Sequence, residues 1–194
     1  MPRIEKTQSE QERKDQIKKA ALKIFAEKGL VGTKMSMIAE EAGISQGLSY
    51  RYFASKDEIF ALLVEEAIEE SRKAIRDIAM FSGSPLEQIK AFTLQMLDEN
   101  HKLYFLLVQQ ALTLEVVPSK AREAIERYSP QETIEQIIPI FIRGQQEGVF
   151  SEGDAYKQLI LYFSVINGLI LQDAKVIGMD WIQEVDRLLN ILTK

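Results

Sequence analysis

Gln46, Gly47, Ser49, Tyr50 and Tyr52 lie close together in the chain, all uncharged, and four of them carry a hydrogen-bonding side chain. Such groups around one small gap suit contact with base edges and phosphates. A merely solvated helix face would carry more Lys and Glu. The Gln46 amide has the geometry for a bidentate contact to adenine. Catalytic chemistry finds far less material. His101 is the single histidine and there is no cysteine. Asp98 and His101 stand one helical turn apart but lack further metal ligands, and Glu65, Glu66, Glu69 and Glu70 read as a solvated helix face. Residues 29–34 lack the preceding strand and the full spacing of a phosphate loop. No catalytic residue, metal site or cofactor is expected.

Two short helices and a turn must position the polar group. Thr33 is a plausible N-cap, and Met35, Ile38, Ala39 and Ala42 form one apolar stripe at helical spacing. Gly43 stops this helix, Ile44 plugs the core, and Ser45 caps a second helix with Leu48 and Phe53 inward. The outer face of that helix carries the polar set, as in a helix-turn-helix. A preceding helix to about Lys28, with Ile17, Ala21, Ile24 and Phe25 inward and Gly29 as its stop, supplies the third wall. Its Lys18, Lys19 and Lys23 lie on the opposite face, either solvated or against phosphate. Residues 1–11 read as a polar arm.

The run from Thr33 through residues 38–47, Tyr50-Arg51-Tyr52-Phe53 and Lys56-Asp57-Glu58 resembles the DNA-binding segment of the tetracycline-repressor (TetR) family of bacterial transcription regulators. The likeness extends over about residues 12–62, and Gly144, Gly148-Val149-Phe150 and Asp154 are similar to the family's link between its seventh and eighth helices. The resemblance implies a groove-facing side made of Gln46, Gly47 and Ser49 next to the cap Ser45. Tyr50, Tyr52 and Lys56 would then donate to phosphates, and Thr33, Lys34 and Ser36 would grip the flanking ones. Tyr50 has an alternative as a core ring packed on the first helix, and Arg51 as an internal ion pair.

Charge agrees with this division of labour. The 194 residues carry a net −5, yet residues 1–56 hold 11 Lys/Arg against 7 Asp/Glu, and residues 57–194 hold 13 against 22. A small basic head on an acidic body suits phosphate contact by the head alone. The expected domains are therefore 1–56, the helix-turn-helix head, and 57–194, an effector-binding and dimerisation body. A cysteine-free chain with a polar N-terminus and no apolar run of spanning length points to the cytoplasm, without a membrane partner.

The rest of the chain reads as helices. One, capped by Ser55, runs to about Phe81 and links head to body; others cover 86–100, 101–116, 119–128 and 130–147, the last containing Pro139. Asp154 opens an almost wholly apolar helix to about Ile177, and Trp181, Val185, Leu188, Leu189 and Leu192 mark a final one. The expected fold is all-α, nine to ten helices in two domains, a three-helix head and an antiparallel helical body.

The apolar helix around Gly168 either fills a monomer's centre or, with the last helix, forms half of a two-fold four-helix bundle. TetR-like proteins dimerise through their last two long helices, so a homodimer is implied. Met96, Tyr104, Phe105, Gln109, Phe141, Tyr162 and Asn167 are candidates for an effector pocket, or else plain core; their low charge favours an apolar or neutral small molecule. The expectation is a dimeric, ligand-responsive regulator, a repressor on a palindromic double-stranded operator. The alternative is an all-α small-molecule-binding or adaptor protein without sequence-specific DNA binding.

Overall fold

The computed structural model describes residues 2–172 and 178–193, and it is all-α: no strand occurs among them beyond one isolated bridge between Phe150 and Thr193. The helices are α1 (Pro2–Gly32), α2 (Met35–Glu41), α3 (Gln46–Tyr52), α4 (Lys56–Met80) and α5 (Pro85–Leu97). They continue as α6 (Glu99–Thr113), α7 (Ser119–Glu126), α8 (Pro130–Gln146), α9 (Ala155–Ile170) and α10 (Val185–Leu189). Contacts gather these into two units. The first contains residues 1–68 and 103–127, the second 69–102 and 128–194. The boundary expected between 56 and 57 lies inside the first unit. Both α4 and α6 run from one unit into the other.

In the first unit, Ile17, Ala21, Phe25, Ile38, Ile59 and Phe60 are all but sealed from water. Phe25 and Phe60 meet edge to face with centroids 5.3 Å apart, which locks α1 onto α4. Helix α1 begins at Pro2 rather than near residue 12, so the expected polar arm is helical. It breaks at Gly29, whose φ of 70° and ψ of 167° no helix accommodates. Gly43 takes φ 64° at the end of α2, a left-handed position that a side chain disfavours. Three short-range devices set the termini. Ser45 Oγ accepts from Leu48 N, Ser55 Oγ accepts from Glu58 N, and Glu58 accepts from Ala54 N.

In the second unit, α5 packs on α8, α9 and α10, and α8 packs on α9. A capping box of Ser84 and Glu87 starts α5, and Asp154 caps α9. Hydrogen bonds from Ser84 to the Glu87 carboxylate hold its pKa below the ordinary value. Buried Gln88 donates to Ile78 O and Phe81 O and accepts from Arg143, so one side chain closes the end of α4 against α5 and α8. Gly144 is where the Phe150 ring lies: an added Cβ would come within 2.2 Å of it, so the close approach depends on having no side chain there. Pro139 is exposed, as is Glu135, so the carbonyl that Pro139 leaves unpaired has access to water.

The C-terminal region departs from expectation. Helix α9 ends at Ile170, and the expected continuation over 173–177 lies outside the described residues. The final helix is reduced to Val185–Leu189, because the chain after it finds partners elsewhere. Ser151 N donates to Leu192 O at 2.8 Å, and Ser151 Oγ to Thr193 O at 2.8 Å. Leu192 is still buried: its N–H donates to Leu189 O at 2.9 Å in a turn that follows the helix, and its carbonyl takes the Ser151 N–H.

Candidate nucleic-acid interface

Helix α3 is seated by its inward positions, and its outward positions are left to solvent. Gln46, Gly47, Tyr50 and Arg51 are exposed, and Tyr52 is half-buried. A Cβ built on Gly47 meets nothing within 4 Å, so the chain's own packing does not require a glycine there. Tyr50 is 50% exposed, which removes it from the core position considered as its alternative. Arg51, exposed in the last turn, makes no ion pair among the described residues. It adds a cation to this face in place of the internal ion pair that was its alternative. Beside α3, Lys34 and Ser36 are exposed at the start of α2, and Ser45 at the start of α3.

Three residues of the expected set are placed differently. Ser49 is fully buried, and its hydroxyl donates to Gln46 O at 2.7 Å. It belongs to the seat of α3 and not to its outer face. Thr33 is 1% exposed and donates to Gly29 O at 2.7 Å, while Lys34 takes the N-cap position of α2. The Thr33 side chain thus seals the break in α1 instead of capping α2. Lys56 is the third. Its Nζ donates to Leu30 O and to Thr33 O at 2.7 Å each, across the turn between α1 and α2. The ammonium therefore sits at the end of α1, where the helix dipole is negative, and adds a charged donor to Leu30 O, which also accepts from Thr33 N at 3.4 Å, and to Thr33 O just beyond the helix. Here the cation orders the head from within.

Of Lys18, Lys19 and Lys23 on α1, two are likewise spoken for. Lys23 pairs with Glu41 at 2.8 Å, and that hydrogen bond raises its pKa. Lys18 pairs with Glu66 and Asp15; burial pulls its pKa down, but the two hydrogen bonds more than offset this. Lys19 is exposed.

The candidate effector residues are not gathered in one unit. Tyr104, Phe105 and Gln109 belong to the first, and Met96, Phe141, Tyr162 and Asn167 to the second. Phe141 is fully buried and stacks on Phe150 at 4.6 Å. Tyr162 is fully buried beside Thr93, with 2.7 Å between the hydroxyls. Thr93 already donates to Ile89 O, so the phenol is the donor of this pair. Desolvation pushes the phenol up to about 12, the Thr93 bond pulling the other way. Asn167 is different: its Oδ1 is buried without a partner. A cleft of about 160 Å³ does exist in the second unit, between Ser71, Arg72, Ile75 and Arg76 of α4 and Tyr128, Glu132 and Thr133 near the start of α8. None of the seven candidates lines it, and its walls are more polar than the expected apolar pocket. Among the described residues, no group of three or more His, Asp or Glu is arranged to hold a metal ion. No helix among them is long and apolar enough to cross a membrane.

Residues 17–63, which contain α2, α3 and the turn between them, match the family described as "Bacterial regulatory proteins, tetR family". The HTH-type transcriptional regulator PksA of Bacillus subtilis is 32% identical over 92 residues, 47% of this chain and 45% of that one. The HTH-type transcriptional repressor KstR2 of Mycobacterium tuberculosis is 27% identical over 141 residues, 71% of this chain and 69% of that one. The chain spans less than half the length of the first curated relatives it matches. The solved structure of the ketosteroid transcriptional regulator KstR2 superposes with a TM-score of 0.66 at 22% identity, covering 94% of this chain and 95% of that one. At that identity the likeness speaks for a shared fold alone. The helix-turn-helix segment of residues 17–63 is therefore that of the TetR family of bacterial regulatory proteins, and the chain as a whole shares the all-α fold of solved TetR-like structures along nearly its full length.

Proposed function

We propose that this protein is a homodimeric transcription regulator that represses from a palindromic operator and is released by a small-molecule effector in the cytoplasm. The observation that carries the reading is the outer face of α3. A helix seated by Leu48, Ser49 and Phe53 presents Gln46, Tyr50 and Arg51 around the open space at Gly47. Gln46 reads a base edge, Tyr50 and Arg51 engage phosphates, and Lys34 and Ser36 meet the flanking backbone. Lys56, Thr33 and Ser49 hold this face in shape.

Dimerisation follows from α9. Ile160, Leu161, Val165 and Leu171 are exposed apolar residues along one side of that helix. Gly168 lies on the same side, and a Cβ there would meet nothing within 4 Å. A second copy covering this stripe removes it from water and places two recognition helices on successive major grooves, about 34–36 Å apart. An effector that binds one conformation of the body better than the other shifts the population of DNA-competent dimers; a differential of about 1–3 kcal/mol moves occupancy about 5- to 150-fold. Asn167, with its unpaired buried acceptor, is the candidate polar anchor for that ligand.

Selection of genomic fragments on the purified protein tests the reading. A salt-sensitive, sequence-specific complex that competitor DNA does not displace is the expected result. Recovery of no fragment above background would leave the binding or adaptor alternative.

A further inference from the structure

Helix α6 enters the first unit at Leu103, and its residue Gln110 reaches the recognition module directly. Gln110 Nε2 donates to Phe25 O at 2.8 Å, in the last turn of α1 before the break at Gly29. Phe25 is itself fully buried and packed on Phe60, so the contact is made to a fixed point. A relay of short bonds leads on from this turn. Gly29 O receives the Thr33 hydroxyl, and Leu30 O and Thr33 O receive the Lys56 ammonium. One side chain of α6 is thereby tied, through the end of α1, to the start of α2 and the start of α4.

The Gln110 amide is a poor stabilising device. Its Oε1 is buried without any partner, at 3.7 Å from the position a Cβ would take on Gly29. A half-satisfied buried amide contributes less than an apolar side chain of the same length, because desolvation of the orphan acceptor offsets the one bond formed. What the amide adds is direction, since a donor aimed at Phe25 O favours one register of α6 against α1 where apolar packing alone is less selective. We propose that Gln110 is a positioning residue through which α6 holds the end of α1, and with it α2 and α3, in the DNA-competent arrangement. The proposal rests on the reading of α3 as the recognition helix.

Coupling of this kind is reciprocal, so DNA itself serves as the probe and no effector is needed. The experiment compares the full-length protein with Gln110→Met, which keeps the length and loses donor and acceptor, using an operator duplex recovered by genomic selection. In the wild type, operator is expected to slow amide exchange over residues 103–113 as well as within the head. In Gln110→Met the protection stays within the head. There, specific affinity falls about fivefold or more while affinity for random DNA, the salt slope and the thermal midpoint hold. Equal specific affinity and equal protection of 103–113 in the two proteins would overturn the proposal. So would a variant that loses stability and binding in parallel, which marks a structural role. Absence of any change over 103–113 in the wild type overturns it independently of the variant. A wild type that binds no operator would instead remove the regulator reading on which it rests.

Discussion

Replacing Lys56 by Met separates a cation that grips DNA from one that builds the head. The ammonium makes two bonds of 2.7 Å, to Leu30 O and Thr33 O, at the end of α1, where Leu30 O also accepts from Thr33 N at 3.4 Å. A hydrogen bond from a charged donor contributes about 1.5–3 kcal/mol when partly shielded. Two bonds from one ammonium are not additive, and favourable interaction with the helix dipole adds about 0.3–1 kcal/mol. The substitution is therefore expected to lower stability of the first unit by about 2–3 kcal/mol, most of it from the two charged hydrogen bonds lost at Leu30 O and Thr33 O. Trp181, the only tryptophan, lies in the second unit, so its fluorescence reports the wrong part of the chain. Urea unfolding followed by far-UV circular dichroism, with amide exchange at residues 25–33, reads the relevant change. Each lost phosphate contact lowers the slope of log affinity against log salt by about 0.9. A structural Lys56 leaves that slope unchanged. A slope reduced by about one at unaltered stability would refute this assignment and return the ammonium to the phosphates.

Three further substitutions probe other parts of the account. Gln46→Ala is expected to relax preference at one base pair by about 1–3 kcal/mol while leaving the salt slope alone, measured on operator variants; equal loss on specific and random DNA would contradict base reading. Val165→Glu, on the exposed stripe of α9, is expected to give a monomer by light scattering and to abolish cooperative operator binding without unfolding the chain. Thr93→Val leaves the buried Tyr162 hydroxyl without its acceptor and is expected to cost about 1–3 kcal/mol in denaturant titrations. The same phenol predicts an alkaline limit. Its folded value is pushed up from 10.0 to about 12, so between those pH values the unfolded chain releases a proton that the folded chain keeps, and stability falls. A stability plateau across that window would contradict it.

The helix-turn-helix was legible because its signals are local. Gly43 at φ 64° and Ser45 capping Leu48 N are decided within a few residues, and the apolar spacing of α2 needs only its own turns. Hydroxyl and ammonium destinations were not legible. Ser49 and Thr33 bond back to carbonyls three and four residues earlier, an option that any Ser or Thr has and that sequence does not rank against an outward pose. Lys56 meets carbonyls 26 and 23 residues away, which only the tertiary fold brings near. In the body, aromatic residues at helical spacing fit both a pocket wall and a core. Neighbours decide between the two: Phe141 lies flat on Phe150, and Tyr162 meets Thr93. At the C-terminus the apolar period suggested a long helix. Leu192 is buried all the same, through a bridge to the 150–151 segment that periodicity does not reveal.

The proposed dimer presents one α3 face twice at a fixed separation. Footprinting of the selected operator together with the mass of the complex tests it in one measurement. Two related half-sites are expected, with centres about 10 base pairs apart or a multiple of that, each protected in the major groove, and an even number of protomers bound. A single protected half-site occupied by one protomer would contradict it.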